Sequence, residues 1–140
     1  MTIDEGEGGR KMHLIVDGLA KNVELMTDKA RLSEYMKALV EATGMTVFQE
    51  PIVVGYPWPG STDTDALSAI CFLKESAVMV HSYPEQSFVF VDVFSCRAFD
   101  VGKIYGHIKR AFDMPDAKCV VLERGIDETG KCVPATIIRK

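Results

Sequence analysis

No two cysteines in this chain stand close enough to form a Cys-x-x-Cys pair, so the spacing of a zinc site or a redox motif is missing. The four, Cys71, Cys96, Cys119 and Cys132, are scattered. The first three lie in or beside apolar β-like runs, where a cysteine packs as a small hydrophobe. No apolar run approaches the about 20 residues of a membrane-spanning helix. Positive charge is in deficit. Lys and Arg number 16 against 20 Asp and Glu, a net charge of −4 that lacks a nucleic-acid footprint. The opening MTIDEGEGGRK is acidic and Gly-rich rather than a positively charged signal peptide, and residues 1–11 read as a flexible lead-in. Low-complexity tracts, internal linkers and convincing repeats are missing too. These absences point to a cytoplasmic protein with free thiols, no metal, no membrane and no nucleic-acid partner.

What is present fits one domain over residues 1–140. Met12–Asp17 (MHLIVD) reads as a short strand. Leu32, Tyr35, Met36, Leu39, Val40 and Thr43 recur at helical spacing and predict a helix from about Thr27 to Thr43. Thr27 or Asp28 caps its start, and Gly44 suits a left-handed stop. MTVFQEPIVV follows as a strand, with Pro51 arguing for an edge or a bend. Gly55–Asp65 is punctuated as a loop. LSAICFLK is a strand, and VMVHS and SFVFVDVFSC continue the sheet around a turn at Tyr83–Gln86. The second of these runs is apolar on both faces except at Asp92 and its end, which suits a central strand. Asp100 caps a second helix to Phe112, whose buried stripe is Val101, Ile104, Tyr105, Ile108 and Phe112. Pro115 prevents its continuation. KCVVLERG is a further strand, and the tail from Asp127 adds a weak one. The order reads β-α-β-β-β-α-β. That is an α+β two-layer sandwich, a mostly antiparallel sheet with two helices on one face.

The residues that stand out chemically are Glu75-Ser76 in LKESAVMVHSYPE and Cys96 in FVFVDVFSC. Each residue is unremarkable alone. A lone Ser76 is a turn residue, a lone His81 in an apolar strand is a satisfied core histidine, and Ser68 by itself says nothing. His13 reads as a strand residue, and His107 as lying on the exposed side of the second helix. Ser68, Ser76, His81 and Cys96 together, with Pro-Glu after the histidine and VDVF before the cysteine, form a joint pattern within 29 positions.

That pattern resembles the self-cleavage site of the prokaryotic S-adenosylmethionine decarboxylase proenzymes, closely from Ser68 to Cys96 and more loosely at the opening strand. The resemblance implies that the chain cuts itself into residues 1–75 and 76–140. The Ser76 hydroxyl attacks the carbonyl of Glu75, giving an ester. Elimination releases Glu75 as a new carboxyl terminus, and hydrolysis leaves a covalent pyruvoyl group at residue 76. Ser68 and His81 serve this processing. Such a reaction needs hydrogen-bond donors where charge develops and a group that moves protons, and an imidazole titrates near neutral pH. The pyruvoyl cofactor forms a Schiff base with a substrate amine and acts as an electron sink. By the same resemblance Cys96 protonates the product carbon, a role open to a thiol with an ordinary pKa near ~8.5. The chain departs from the family pattern at Ala77, where histidine is common, and at Ser82-Tyr83, where Thr-Trp is common. Its loop before Ser68 is also long and proline-rich.

The resemblance further implies a homodimer of processed protomers and S-adenosylmethionine as the small-molecule substrate, supplying polyamine synthesis. Adenine calls for an aromatic face, and Phe48, Tyr56 and Trp58 are the candidates. Packing in the core for Phe48 and within the loop for Trp58 is the structural alternative. Glu85 is a further candidate binding residue. Arginine or ornithine as substrate would use Asp63, Asp65 and Glu85. An uncleaved homologue acting as a binding or regulatory subunit is the remaining alternative.

Overall fold

The protein is described from a computed structural model, which describes residues 10–57 and 65–139. Seven strands form one sheet: β1 (Arg10–Leu19), β2 (Ile52–Pro57), β3 (Asp65–Leu73), β4 (Ser76–Tyr83), β5 (Phe88–Ser95), β6 (Asp116–Ile126) and β7 (Cys132–Arg139). Their order is β2-β3-β4-β5-β1-β6-β7, with every pair antiparallel. The helices are α1 (Val23–Thr27), α2 (Lys29–Ala42) and α3 (Val101–Phe112). This is the expected two-layer α+β sandwich, and β5 is the middle strand of the sheet, as its two apolar faces suggested.

Three features differ from the sequence reading. The turn expected at Tyr83–Gln86 is present and separates two strands where the element order counted one: Pro84–Gln86 form a single 3-10 turn and Ser87 takes a left-handed conformation (φ 52°) that reverses the chain. A third helix, α1, precedes the expected one. The backbone of Asp28 is extended (φ −100°), so it ends α1 while its carboxylate accepts the N–H groups of Ala30 and Arg31 at the start of α2. The strand expected from Met45 begins only at Ile52. Before it, Val47 makes an isolated bridge to Leu73, and Pro51 has no N–H to offer the ladder. β2 lies at the sheet edge, as Pro51 indicated.

Local signals placed the other ends well. Gly44 takes φ +83° just after α2, and Asp100 Oδ1 accepts the Lys103 N–H at the start of α3. Gly18 is needed where β1 meets β6, since a Cβ there would lie 2.7 Å from the Asp116 carbonyl oxygen. The loop expected over 55–65 is narrower: Gly55–Pro57 belong to β2 and Asp65 to β3, and the rest lies outside the described residues.

The core sits between the helices and one sheet face. Leu32, Met36 and Leu39 of α2 and Ile104, Ile108 and Phe112 of α3 bury against Leu14, Val16, Leu67, Val78, Val80, Val91 and Val93. Among the described residues the opposite face carries no helix. Strand alternation gives it Val54, Tyr56, Phe72, Met79, Phe90, Phe94 and Ile15, of which Phe72 and Phe90 are 40% and 37% exposed. His13 Nε2 donates to Asp92 Oδ1 on this face at 2.9 Å. Burial, then the neighbouring Asp92 charge, raises the Asp17 carboxyl above its ordinary range.

His107 is not on an exposed side. It stacks on Tyr35 (centroids 5.6 Å apart) between α2 and α3, and the Tyr35 hydroxyl and His107 Nδ1 are both buried without a hydrogen-bond partner. Phe48 is 73% exposed, so it is not core. Cys71 is buried, Cys96 and Cys119 are half-buried and Cys132 is exposed, all unpaired. Among the described residues no helix is long and apolar enough to cross a membrane, and no cluster of His, Cys, Asp or Glu could hold a metal ion.

Candidate active site

β3 and β4 form a hairpin in which Leu73 pairs with Ser76, leaving Lys74-Glu75 as its two-residue turn. A turn this tight needs a residue with positive φ, and here a non-glycine supplies it: Glu75 has φ 65°. For an L-residue that conformation costs about 1–2 kcal/mol. The strain sits in the residue whose carbonyl forms the Glu75–Ser76 peptide bond.

Ser76 opens β4 on its buried face at 6% exposure. Its Oγ accepts the Cys96 N–H at 3.0 Å, and its hydroxyl donates to Cys96 Sγ at 3.3 Å. The Cys96 thiol in turn lies 3.8 Å from the Lys74 carbonyl oxygen. Cys96 follows the end of β5, where the chain bends around Ser95. The Ser95 hydroxyl donates to the Arg97 carbonyl (2.6 Å) and accepts the Arg97 N–H (2.9 Å). Sequence reasoning missed Ser95, because a serine beside a cysteine carries no signal until the bend is seen. A cleft of about 430 Å³ opens beside this group, lined by Gly44, Met45, Thr46, Leu73, Lys74, Glu75, Cys96 and Arg97.

Ser68 and His81 form a second group. They are direct cross-strand partners on β3 and β4, and Ser68 Oγ lies 2.9 Å from His81 Nδ1. Tyr56 of β2 joins them, its hydroxyl 3.0 Å from Ser68 Oγ. Within one chain the two groups do not meet. Side chains alternate along β4, so Ser76, Val78, Val80 and Ser82 point to the core while Ala77, Met79, His81 and Tyr83 point to the uncovered face. Ser76 and His81 therefore lie on opposite faces, and five residues of strand separate them by about 16 Å. Glu85 is exposed in the 3-10 turn beyond β4, at the His81 end. Trp58 and Asp63 lie outside the described residues, as does the side chain of Asp65. Ser82, in the stretch that departs from the family pattern, is structural: its hydroxyl donates to the Met26 carbonyl at 2.7 Å and accepts the Leu67 N–H, tying β4 to α1.

Comparison with known proteins bears on the fold and the family. A relative from Clostridium botulinum (strain Loch Maree / Type A3), an S-adenosylmethionine decarboxylase proenzyme, is 25% identical over 114 residues, covering 81% of this chain and 92% of its own. A proenzyme of the same name from Thermotoga petrophila is 24% identical over 120 residues, covering 84% and 87%. The crystal structure of the adenosylmethionine decarboxylase from Aquifex aeolicus superposes with a TM-score of 0.70 at 18% identity, over 91% of this chain and all of that one. The Trypanosoma brucei AdoMetDC-delta26 monomer superposes with a TM-score of 0.52 at 14% identity, over 81% of this chain but 45% of that one. The S-adenosylmethionine decarboxylase family model matches residues 12–125, and the chain belongs to that family.

Proposed function

We propose that the protein is a self-processing decarboxylase of S-adenosylmethionine. It cuts its own chain between Glu75 and Ser76, turns residue 76 into a pyruvoyl group and works as a homodimer. The observation that carries this reading is the placement of the Ser76 hydroxyl. It follows a strained Glu75, is shielded from solvent, and is gripped by the Cys96 N–H and thiol beside an open cleft. The names of the relatives support the substrate. Four unpaired thiols suit the reducing cytoplasm expected for such an enzyme.

The residues present fit the pyruvoyl group. Glu75 and Cys96, on either side of position 76, line a cleft of about 430 Å³, and the Cys96 thiol stands 3.3 Å from the Ser76 hydroxyl. When present, the group supplies an electrophilic ketone that draws off the electrons left by departing carbon dioxide. The chain's own residues do the rest. In the precursor the Cys96 N–H donates to the Ser76 hydroxyl oxygen. Cys96 Sγ holds a proton for delivery to the product carbon. Lys74 and Arg97 line the cleft beside Glu75. Cleavage also relieves the left-handed Glu75, which favours the reaction in the forward direction.

Processing needs a proton carrier at Ser76, and the chain's own His81 is on the wrong face. A second copy meets this need. Among the described residues the uncovered face exposes Ile52, Val54, Tyr56, Phe72 and Phe90, apolar side chains of the kind that mark an interaction surface. Two such faces packed about a two-fold axis make an isologous dimer; because Ser76 faces the core, the Ser68–His81 pair of the second copy must approach it past the Lys74-Glu75 turn at the end of the hairpin.

Intact-mass analysis tests the cleavage, and carbon dioxide release from S-adenosylmethionine, arginine and ornithine tests the substrate. Co-expression of Ser76→Ala and His81→Ala chains tests the dimer. The His81→Ala chain, uncleaved alone, is expected to be cut in the mixture by the partner's intact His81. A wild-type chain that stays whole sinks the cleavage, and a mixture that stays whole sinks the shared site.

A further inference from the structure

Tyr56 stands near the end of β2, where the sequence suggested an aromatic face for adenine. Its hydroxyl is engaged in something else. It lies 3.0 Å from Ser68 Oγ, which lies 2.9 Å from His81 Nδ1, so three adjacent strands each contribute one member of a hydrogen-bonded line. Val54, Ser68 and His81 are direct cross-strand partners on the uncovered face, and Tyr56 is the diagonal neighbour that a long side chain can reach.

A hydroxyl donates one proton and accepts others, and a neutral imidazole has one N–H and one bare nitrogen. The line therefore has two arrangements. In one, Tyr56 donates to Ser68, Ser68 donates to Nδ1, and the ring proton sits on Nε2. In the other, Nδ1 donates to Ser68, Ser68 donates to the Tyr56 oxygen, and Nε2 is bare. Tyr56 is 37% exposed, so its own proton can then turn to solvent. Reversal changes the role of Nε2 from acid to base with no net charge. We infer that Tyr56 is the terminal positioning residue of a Tyr56–Ser68–His81 relay that lets His81 Nε2 serve as base and then as acid during self-processing.

This rests on the proposed self-cleavage and on the shared site of the dimer, since the His81 of one copy acts on the Ser76 of the other. In the first step the bond from Ser76 Oγ to the Glu75 carbonyl carbon forms and the peptide C–N bond breaks. Nε2 takes the hydroxyl proton and returns it to the departing nitrogen. In the second, Nε2 takes the Cα proton of residue 76. The freed pair makes the Cα–Cβ double bond, and the Cβ–Oγ pair leaves on the Glu75 carboxylate. Nε2 must be bare at the start of each step, and that arrangement needs an acceptor for the Ser68 proton. The Tyr56 oxygen is that acceptor.

Tyr56→Phe deletes the oxygen and keeps the ring. Cleavage is expected to slow about tenfold, the transition-state worth of one hydrogen bond. Ester at Glu75–Ser76, trapped by hydroxylamine, is expected to accumulate. In a Ser68→Ala background the same substitution is expected to slow nothing further, because Tyr56 acts through Ser68. An unchanged melting temperature establishes that the variant is folded. Wild-type chains that cleave while Tyr56→Phe cleaves at the same rate overturn the relay alone, as does a slowing that adds in full to that of Ser68→Ala. Wild-type chains that never cleave overturn the self-cleavage beneath it.

Discussion

Cys96→Ala separates the two reactions proposed for this site. In the precursor the thiol accepts from the Ser76 hydroxyl at 3.3 Å and donates weakly to the Lys74 carbonyl at 3.8 Å. Sulfur is a weak acceptor, so its loss is worth about 0.5 kcal/mol, a factor of roughly two to three in rate. The stronger contact, the Cys96 N–H on Ser76 Oγ at 3.0 Å, belongs to the backbone and survives the substitution. Self-cleavage should therefore proceed within about threefold of wild type. Turnover should not. A positioned proton donor contributes about 10²–10⁴ to rate, and no other thiol stands at position 76 to replace it. The assay takes both readings from one preparation: fragment masses against time, then carbon dioxide release per processed chain. Turnover equal to wild type in fully cleaved Cys96→Ala protein would refute the proton-donor role and leave Cys96 as packing. Abolished cleavage would refute the claim that the backbone N–H is the contact that matters to the precursor.

Glycine adopts the conformation of Glu75 without strain, so Glu75→Gly should remove about 1–2 kcal/mol of ground-state strain. Cleavage should slow about five- to thirtyfold, measured as the half-life of freshly purified precursor; an unchanged half-life would mean that the turn stores nothing the reaction uses. Burial first, and then Arg110 and Lys103, hold the His107 imidazole below its ordinary 6.5. The unfolded chain therefore binds that proton before the folded one does. The stability contributed is complete above about pH 6.5 and is lost as pH falls through the folded value. His107→Phe keeps the stack on Tyr35 and should flatten the decline in melting temperature between neutral and acid pH; an equally steep decline would place the acid sensitivity elsewhere.

Much of the site is written in short-range pattern. Once Lys74-Glu75 is taken as a two-residue turn, pairing Leu73 with Ser76 obliges Ser68 to face His81, because register propagates one residue at a time along a hairpin. The same parity puts Ser76 and His81 on opposite faces, since their positions differ by an odd number along one strand. Spacing along the chain groups the four residues as one constellation, and strand alternation splits that constellation in two. Tyr56 stands out in the sequence for its ring, while the contact that distinguishes it is its hydroxyl, set by the pairing of β2 with β3. The burial of His107 has a different cause. Helical periodicity assigns it to the solvent side of α3, but α2 packs alongside and covers it with Tyr35.

By itself the sequence determined the elements and the chemistry. Asp28, Gly44 and Asp100 mark helix ends because caps and left-handed stops act within a few residues. The spacing of Ser68, Ser76, His81 and Cys96 carried the family through its resemblance to a known pattern, and the family model bears that out. Only the tertiary structure decided where those residues lie in space. Strand order places β5 in the middle of the sheet and swings Cys96 beside Ser76. The gathering of all three helices on one face leaves the other bare, with His81 on it. These outcomes depend on contacts between residues far apart in the chain. No local preference encodes them; they follow from which burial of apolar surface the whole chain can satisfy at once.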